Sequence, residues 1–355
     1  MVQSWLLRVL LFPFSLLYGL GSYLYQLAWD RGLLKSVQFD LPIIAVGNLS
    51  VGGSGKTPHV EYLIRLLHPY LQVGILSRGY KRQTRGFRIV SARDNARTVG
   101  DESLQYKRKF PQVVVAVAEE RALAIPQLLK SHPELQVILL DDAYQHRAVK
   151  PGLNILLTEY NRPWTRDWLL PVGRLREWPC ASQRADIVIA TKCPASLSPS
   201  DASFFEKELK LSPHQQLFFS TYRYGSPYYL FNPQQRISLQ PHLHVVLLSA
   251  IANTDYLLQY LEAQVQSAIT FTFADHHYFS NYDMGQLDRL FRVRTPKPHL
   301  IITTEKDAVR LELHRQFILE KQLPIFVLPV EVSFLFDQGA HFDARIKQFL
   351  LDFKV

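Results

Sequence analysis

The chain alternates between two kinds of apolar pattern. Short uninterrupted apolar runs occupy 41–46, 73–76, 113–117, 137–140, 155–157 and 187–190. Strands buried on both faces read this way, because neither side of the sheet needs a polar stripe. Among these runs, 58–67, 102–110 and 119–129 repeat apolar residues at helical spacing. Such alternation predicts βαβ units, a mostly parallel sheet and ligands at the carboxyl ends of its strands. The aromatic stretch "LFFSTYRYGSPYYLF" over 217–231 breaks the rhythm, and its "GSP" reads as a hairpin connection. A second alternating set stands at 244–250, 268–273, 299–304 and 324–330, with a closing helix over about 339–353. The expected organisation is a helix within 1–35, an α/β domain over 36–215, a two-stranded linker over 216–241 and a smaller α/β domain over 242–355.

The first segment has a pattern of its own. Residues 9–29 carry no charged side chain, close to the length that spans a bilayer core. Yet Arg8, Ser15, Gly19, Ser22 and Gln26 recur on one helical face, and Tyr18, Tyr23, Tyr25 and Trp29 are types that favour a membrane interface. The expectation is a helix lying in the membrane face rather than crossing it. No small-residue cleavage site or strongly basic leader marks it as a secretory signal.

Composition narrows the classes. With 47% hydrophobic and 20% charged residues, the 355-residue chain is globular rather than disordered and long enough for two cores. A net charge of +9 favours anionic partners: nucleic acid, acidic head groups or phosphorylated substrates. Two cysteines, Cys180 and Cys193, lack metal-ligand spacing and argue for a reducing compartment.

The chemistry begins at "NLSVGGSGKTP", 48–58, which follows the first apolar run. Glycines let the backbone close around an anion, and the Lys-Thr pair then opens a helix whose N-terminal dipole faces it. Ser50, Val51, Gly52, Gly53, Ser54, Gly55, Lys56 and Thr57 are the candidate phosphate cradle. Lys56 would reach the β- and γ-phosphates and the Thr57 hydroxyl would hold Mg²⁺. Pro58 suits the first helical turn. Ser50 replaces the glycine that usually opens this pattern. The run 137–140 ends in Asp141 and Asp142, the carboxylates a Mg²⁺ shell requires. At "ATKCP", Pro194 stands where a guanine-reading carboxylate would be, so ATP is the expected nucleotide.

Several charged residues admit two readings. Asp101, ahead of 102–110, reads by position as a helix cap. Arg78, Lys81 and Arg82 in "SRGYKR" are either a solvated basic stretch or phosphate-recognising, and Arg174 and Arg176 in "GRLRE" share that ambiguity. Asp275, His276 and His277 would suit a metal cluster. Glu305, Lys306 and Asp307 at a strand-to-helix junction fit capping as well as catalysis.

Taken in order, "GNLSVGGSGKTP", "LSRGYKR", "VGDES", "DDAYQHR", "LLPVGRLRE", "ADIVIATK", "ADHHYFS" and "TTEKDAVRL" resemble the tetraacyldisaccharide 4′-kinase family, over 47–311. Ala143 stands where the family usually has glycine after the paired aspartates. The resemblance implies a P-loop domain plus a smaller α/β domain joined by a two-stranded linker. It implies transfer of the γ-phosphoryl of MgATP to the 4′-hydroxyl of a lipid disaccharide 1-phosphate at the cytoplasmic face of a bacterial inner membrane. Among anionic partners it selects that lipid and the membrane surface over nucleic acid. It also makes Asp101 the base that accepts the hydroxyl proton and His276 its partner, with Lys56 the catalytic cation. The competing class is a P-loop NTPase serving as a metal- or cofactor-insertion chaperone.

Overall fold

The computed structural model describes residues 5 to 353. Its first sheet contains β1 (Ile43–Asn48), β2 (Val73–Ser77), β3 (Arg88–Ile89), β4 (Val114–Val117), β5 (Val137–Asp141), β6 (Leu153–Glu159), β7 (Ile187–Thr191) and β8 (Gln216–Tyr224). The second holds β9 (Tyr228–Tyr229), β10 (Asn232–Arg236), β11 (His244–Ser249), β12 (Ser267–Thr272), β13 (Leu300–Thr304) and β14 (Ile325–Leu328). β15 (Val330–Phe334) then returns to the first sheet, which runs β15-β8-β7-β6-β1-β5-β2-β4-β3. Only its two edge pairings, β3 with β4 and β15 with β8, are antiparallel. β1, β2, β5 and β7 are buried at every position, which is why each reads as a continuous apolar run.

The smaller sheet runs β10-β9-β14-β13-β11-β12, parallel from β14 through β12. A two-stranded antiparallel ribbon joins the lobes, but its strands are β8 and β15 rather than two strands inside 216–241. The chain crosses at Gly225 and Pro329, where the Gly225 N–H donates to the Pro329 carbonyl at 3.0 Å. The aromatic stretch is therefore not a hairpin: β8 stays in the large sheet while β9 pairs with β10 and β14. The closing helix Gly339–Asp352 also differs from the expected division. Phe342 and Ile346 are buried in the large lobe's core beside Val60, Ile64 and Phe218. Residues 330–352 thus pack with the first lobe, and the second is an insertion into it.

The N-terminal helix Trp5–Asp30 lies along 168–184 with its polar stripe turned inward from Ser15 to Gln26, while Arg8 is exposed. Ser15 Oγ donates to the Leu169 carbonyl at 2.9 Å, and Tyr18 Oη to the Arg176 carbonyl at 2.9 Å. Gln26 accepts from Arg147 at 2.7 Å and from Arg184 at 3.0 Å. Trp178 Nε1 donates to the Gly19 carbonyl at 2.8 Å, and a side chain at Gly19 would collide with Leu169 and Trp178. Leu10, Phe14, Leu17 and Leu24 are exposed.

Candidate active site

The cradle is built mostly by backbone. Gly52 and Gly55 take φ of 109° and 88°, a region that costs other residues free energy. Gly55 precedes the helix Lys56–Leu67 and offers no side-chain cap, so the first N–H groups of that helix remain available to an anion. A Cβ at Gly55 would lie 2.5 Å from Tyr222 Oη on β8, which excludes any other residue there. His59 fixes the loop from below, with Nδ1 donating to the Gly55 carbonyl at 2.8 Å and Nε2 3.0 Å from Ser220 Oγ. Burial pulls that imidazole down to about 4, so it is neutral. The far side is laced to 169–177: Val51 N–H donates to the Arg174 carbonyl at 2.8 Å and Arg176 N–H to the Leu49 carbonyl at 2.7 Å.

Charged side chains gather at the carboxyl ends of β1 and β5. Lys56 Nζ lies 3.2 Å from Asn48 Oδ1 and 3.6 Å from Asp142. Arg176 reaches the same two groups, Asn48 Oδ1 at 2.5 Å and Asp142 at 3.0 Å. Asp142 has φ of 46°, uncommon outside glycine, and the buried Arg121 guanidinium holds that turn through the Asp141 and Asp142 carbonyls at 2.8 and 3.1 Å. Burial, with Asp142 and Glu102 adding to it, pushes the Asp141 carboxyl up to about 6. For Asp142 burial works upward too, but Lys56 and Arg176 outweigh it and hold the carboxyl well below the usual range. Ser77 Oγ donates to Asp141 Oδ2 at 3.2 Å. Two carboxylates and a hydroxyl beside a cationic cradle are hard oxygen donors of the kind Mg²⁺ selects.

The lobes meet at Asp101, the first residue of the helix Asp101–Lys109 after Gly100. Its side chain caps nothing there. Instead Asp101 Oδ2 accepts from His276 Nδ1 at 3.0 Å, while Oδ1 is buried with no hydrogen-bond partner among the described residues. The fully buried Arg310 reaches Asp101 at 3.5 Å and Asp307 at 2.5 Å, and donates to the Ala250 and His277 carbonyls. Lys306 Nζ lies 3.0 Å from His276 Nε2, 3.1 Å from Glu102 and 3.3 Å from Asp275. Asp101, Glu102 and His276 come close enough to ligate one ion, yet the Lys306 ammonium already supplies the positive charge among them. The alternative reading, Asp275, His276 and His277 as one metal cluster, has no such grouping among the described residues. His277 turns away to bond Asp283 at 2.9 Å and stacks on Phe273.

The basic candidates divide. Arg78 and Lys81 are exposed; Arg78 forms no ion pair among the described residues, and Lys81 Nζ reaches the Asp275 carbonyl at 3.4 Å. Arg82 is spent on the fold: only 2% of its side chain is exposed, and it pairs with Glu119 at 2.6 Å. Arg174 stands beside the cradle with Asp167 at 3.3 Å and Glu159 at 3.8 Å, away from the Asp101 junction. The sequence left Asn48 and Arg121 without a role, whereas Arg176, read there as solvated or phosphate-recognising, is held on Asn48 and Asp142. Arg121 could have been found only through the tertiary fold, whereas Asn48 directly precedes the cradle and closes the strand that leads into it.

The family model for tetraacyldisaccharide-1-P 4′-kinase matches residues 7–351. A tetraacyldisaccharide 4′-kinase of Bacteroides fragilis is 46% identical over 95% of this chain and 91% of its own. That of Flavobacterium johnsoniae is 44% identical over 97% and 98%. The crystal structure of LpxK from Aquifex aeolicus in complex with ATP superposes with a TM-score of 0.73 at 27% identity, covering 97% of this chain and 99% of that one. The agreement takes in the N-terminal helix and both lobes, which removes the insertion-chaperone alternative. From the cradle at 50–57 to the junction at Asp101, and along almost its whole length, the chain belongs to the tetraacyldisaccharide-1-P 4′-kinase family and is an ATP-dependent kinase of lipid A biosynthesis.

Proposed function

We propose that the cradle and the interlobe junction divide one reaction between them. The 4′-hydroxyl oxygen of the tetraacyldisaccharide 1-phosphate attacks the γ-phosphorus of ATP and its proton passes to Asp101 Oδ1. The phosphorus–oxygen bond to ADP breaks, so a phosphate ester and ADP leave. The observation that carries this reading is the unpartnered Asp101 Oδ1, a buried carboxylate oxygen whose twin is already held by His276. A buried acceptor left open is costly unless a donor fills it.

On this reading, backbone of 50–57 and Lys56 hold the phosphates, and Arg176 and Arg121 steady the acidic strand end. Thr57, Asp141 and Asp142 would hold Mg²⁺, which when bound offsets the charge of the transferring phosphoryl group. Arg78 and Lys81 are left to meet the anionic acceptor; Arg82 and Arg174, engaged as they are, drop out of that role. The large lobe, 36–224 with 330–352, is the nucleotide side, and the insertion 228–328 supplies His276 and Lys306. Closing one on the other would exclude water from the transfer.

The outward leucines of Trp5–Asp30 support a helix resting in the cytoplasmic face of the inner membrane. Docked by its polar stripe along 168–184, the helix is committed to the protein on that side and lies on the bilayer rather than through it. Assay of ADP formation with and without the lipid acceptor in detergent micelles tests the whole reading. Turnover should depend on the acceptor and yield the 4′-phosphate; equal ATP hydrolysis without lipid would overturn it.

A further inference from the structure

Lys306 enters the reaction through another residue. An ammonium has donors only, so His276 Nε2, 3.0 Å from Lys306 Nζ, must be the acceptor. The imidazole proton is then on Nδ1, which donates it to Asp101 Oδ2 at 3.0 Å. A second proton on the ring would point an N–H at the ammonium. We propose that Lys306 is a positioning residue that locks His276 in its neutral Nδ1–H form, so that Asp101 faces a neutral donor and keeps its basicity. This deepens the reading of Asp101 as the base and rests on it.

The surroundings explain why a lock is needed. His276 is faced by Asp101 and Glu102 from the helix Asp101–Lys109, with Glu102 3.9 Å from Nε2. Asp275, its chain neighbour, lies 3.7 Å away. Lys306 and, beyond Asp101, Arg310 face it from the helix Glu305–Leu311, and the Tyr80 ring packs edge-on at 4.9 Å. Three carboxylates face one imidazole, and negative neighbours favour a second proton on such a ring. Lys306 supplies that positive charge from outside the ring. Burial acts to lower its own pKa, but Glu102 and Asp275 outweigh it, so the ammonium stays charged. His276 itself sits at φ of 59°, its N–H donating to the Ala250 carbonyl at 3.1 Å, so the turn fixes where the side chain starts while Asp101, Lys306 and the Tyr80 ring fix where it points.

The test pairs Lys306→Met with Lys306→Arg in the full-length enzyme. In Lys306→Met the ring binds a second proton, Asp101 is a poorer base until that proton leaves, and the acidic limb of the kcat profile, now set by the ring, moves up by about one pH unit or more. Above that limb kcat should recover to within several-fold of the parent (an order-of-magnitude expectation for a tuning group). Lys306→Arg, which keeps charge and donors, should leave the limb in place. Nitrogen NMR of the labelled histidine should read Nδ1–H in the parent and imidazolium in Lys306→Met at neutral pH. A uniform loss at every pH, with His276 still neutral in Lys306→Met, would make Lys306 a structural strut and overturn the proposal. An imidazolium signal with an unmoved limb would instead overturn the base assignment beneath it. Melting temperature and nucleotide affinity of both variants identify a merely misfolded protein.

Discussion

The cradle and the Asp101 junction, joined in one transfer on the proposed reading, are held by different physics. At the cradle, positive-φ glycines, uncapped N–H groups and hydrogen bonds from 174–176 set the geometry. Little of it depends on the second lobe. At the junction, nearly everything is side-chain charge out of water: Asp101 on one lobe, His276, Lys306 and Arg310 on the other. On the proposed reading, nucleotide binding draws on the large lobe, whereas the base is assembled only where the lobes meet.

The sharpest break in that comparison is Lys56→Ala. It should lower kcat/KM by two or more orders of magnitude, about 3 kcal/mol or more of transition-state stabilisation, because it removes the cation proposed to meet the transferring phosphoryl group. Near-parental activity in a steady-state assay would detach the cradle from the chemistry. Next in size is Asp101→Asn, with an expected loss of roughly 10²-fold in kcat while ATP affinity by calorimetry is retained. Combined with His276→Ala it should cost less than the sum of the single losses, since both remove one function. If ATP affinity falls as far as kcat, the two regions are not separable as described.

A milder change should spare both. Charges placed by Leu17→Glu and Leu24→Glu sit on the outward face of the helix and should release the protein from anionic vesicles in a sedimentation assay. ATP binding should persist; unchanged sedimentation would mean that the face is not the membrane contact. The smallest effect concerns pH. Glu61, on the helix that leaves the cradle, is 1% exposed and shares Lys109 with Glu305, at 2.6 and 2.5 Å. Burial foremost, then the Glu305 charge, pushes its carboxyl from 4.5 up to about 7, against the pull of Lys109. Between those values the folded protein keeps a proton that the unfolded chain has released, so stability falls as pH rises through that window and levels off above it. Glu61→Gln should flatten the decline in unfolding free energy from pH 5 to 8 by an amount on the order of 1 kcal/mol, read by denaturant titration at each pH.

Much of the large lobe could be read from the chain. Parallel strands buried on both faces leave uninterrupted apolar runs, and "GGSGKTP" carries its geometry in adjacent residues. The polar stripe of the first helix was also legible. Its direction was not, since periodicity gives the face but not what covers it. The β8–β15 ribbon escaped for a related reason: β8 pairs with a strand more than a hundred residues away, and "GSP" offered a nearer partner. At the junction, propensity favoured a cap for Asp101, and only the tertiary contact with His276 reverses that. Lys306 was legible only as part of a Glu-Lys-Asp run that fits capping as well as catalysis, because the ring it touches lies thirty residues earlier.

The return of β15 and the last helix to the first sheet bears on how the protein is made. A nascent chain that has emerged only through β14 has every strand of the small sheet but an open edge at β8. It also lacks the side chains of Phe342 and Ile346 that finish the first core. Such an edge invites pairing with another chain. The part synthesised first is thus among the last to close, and any truncation before residue 330 should produce a protein that aggregates rather than one that merely lacks a tail.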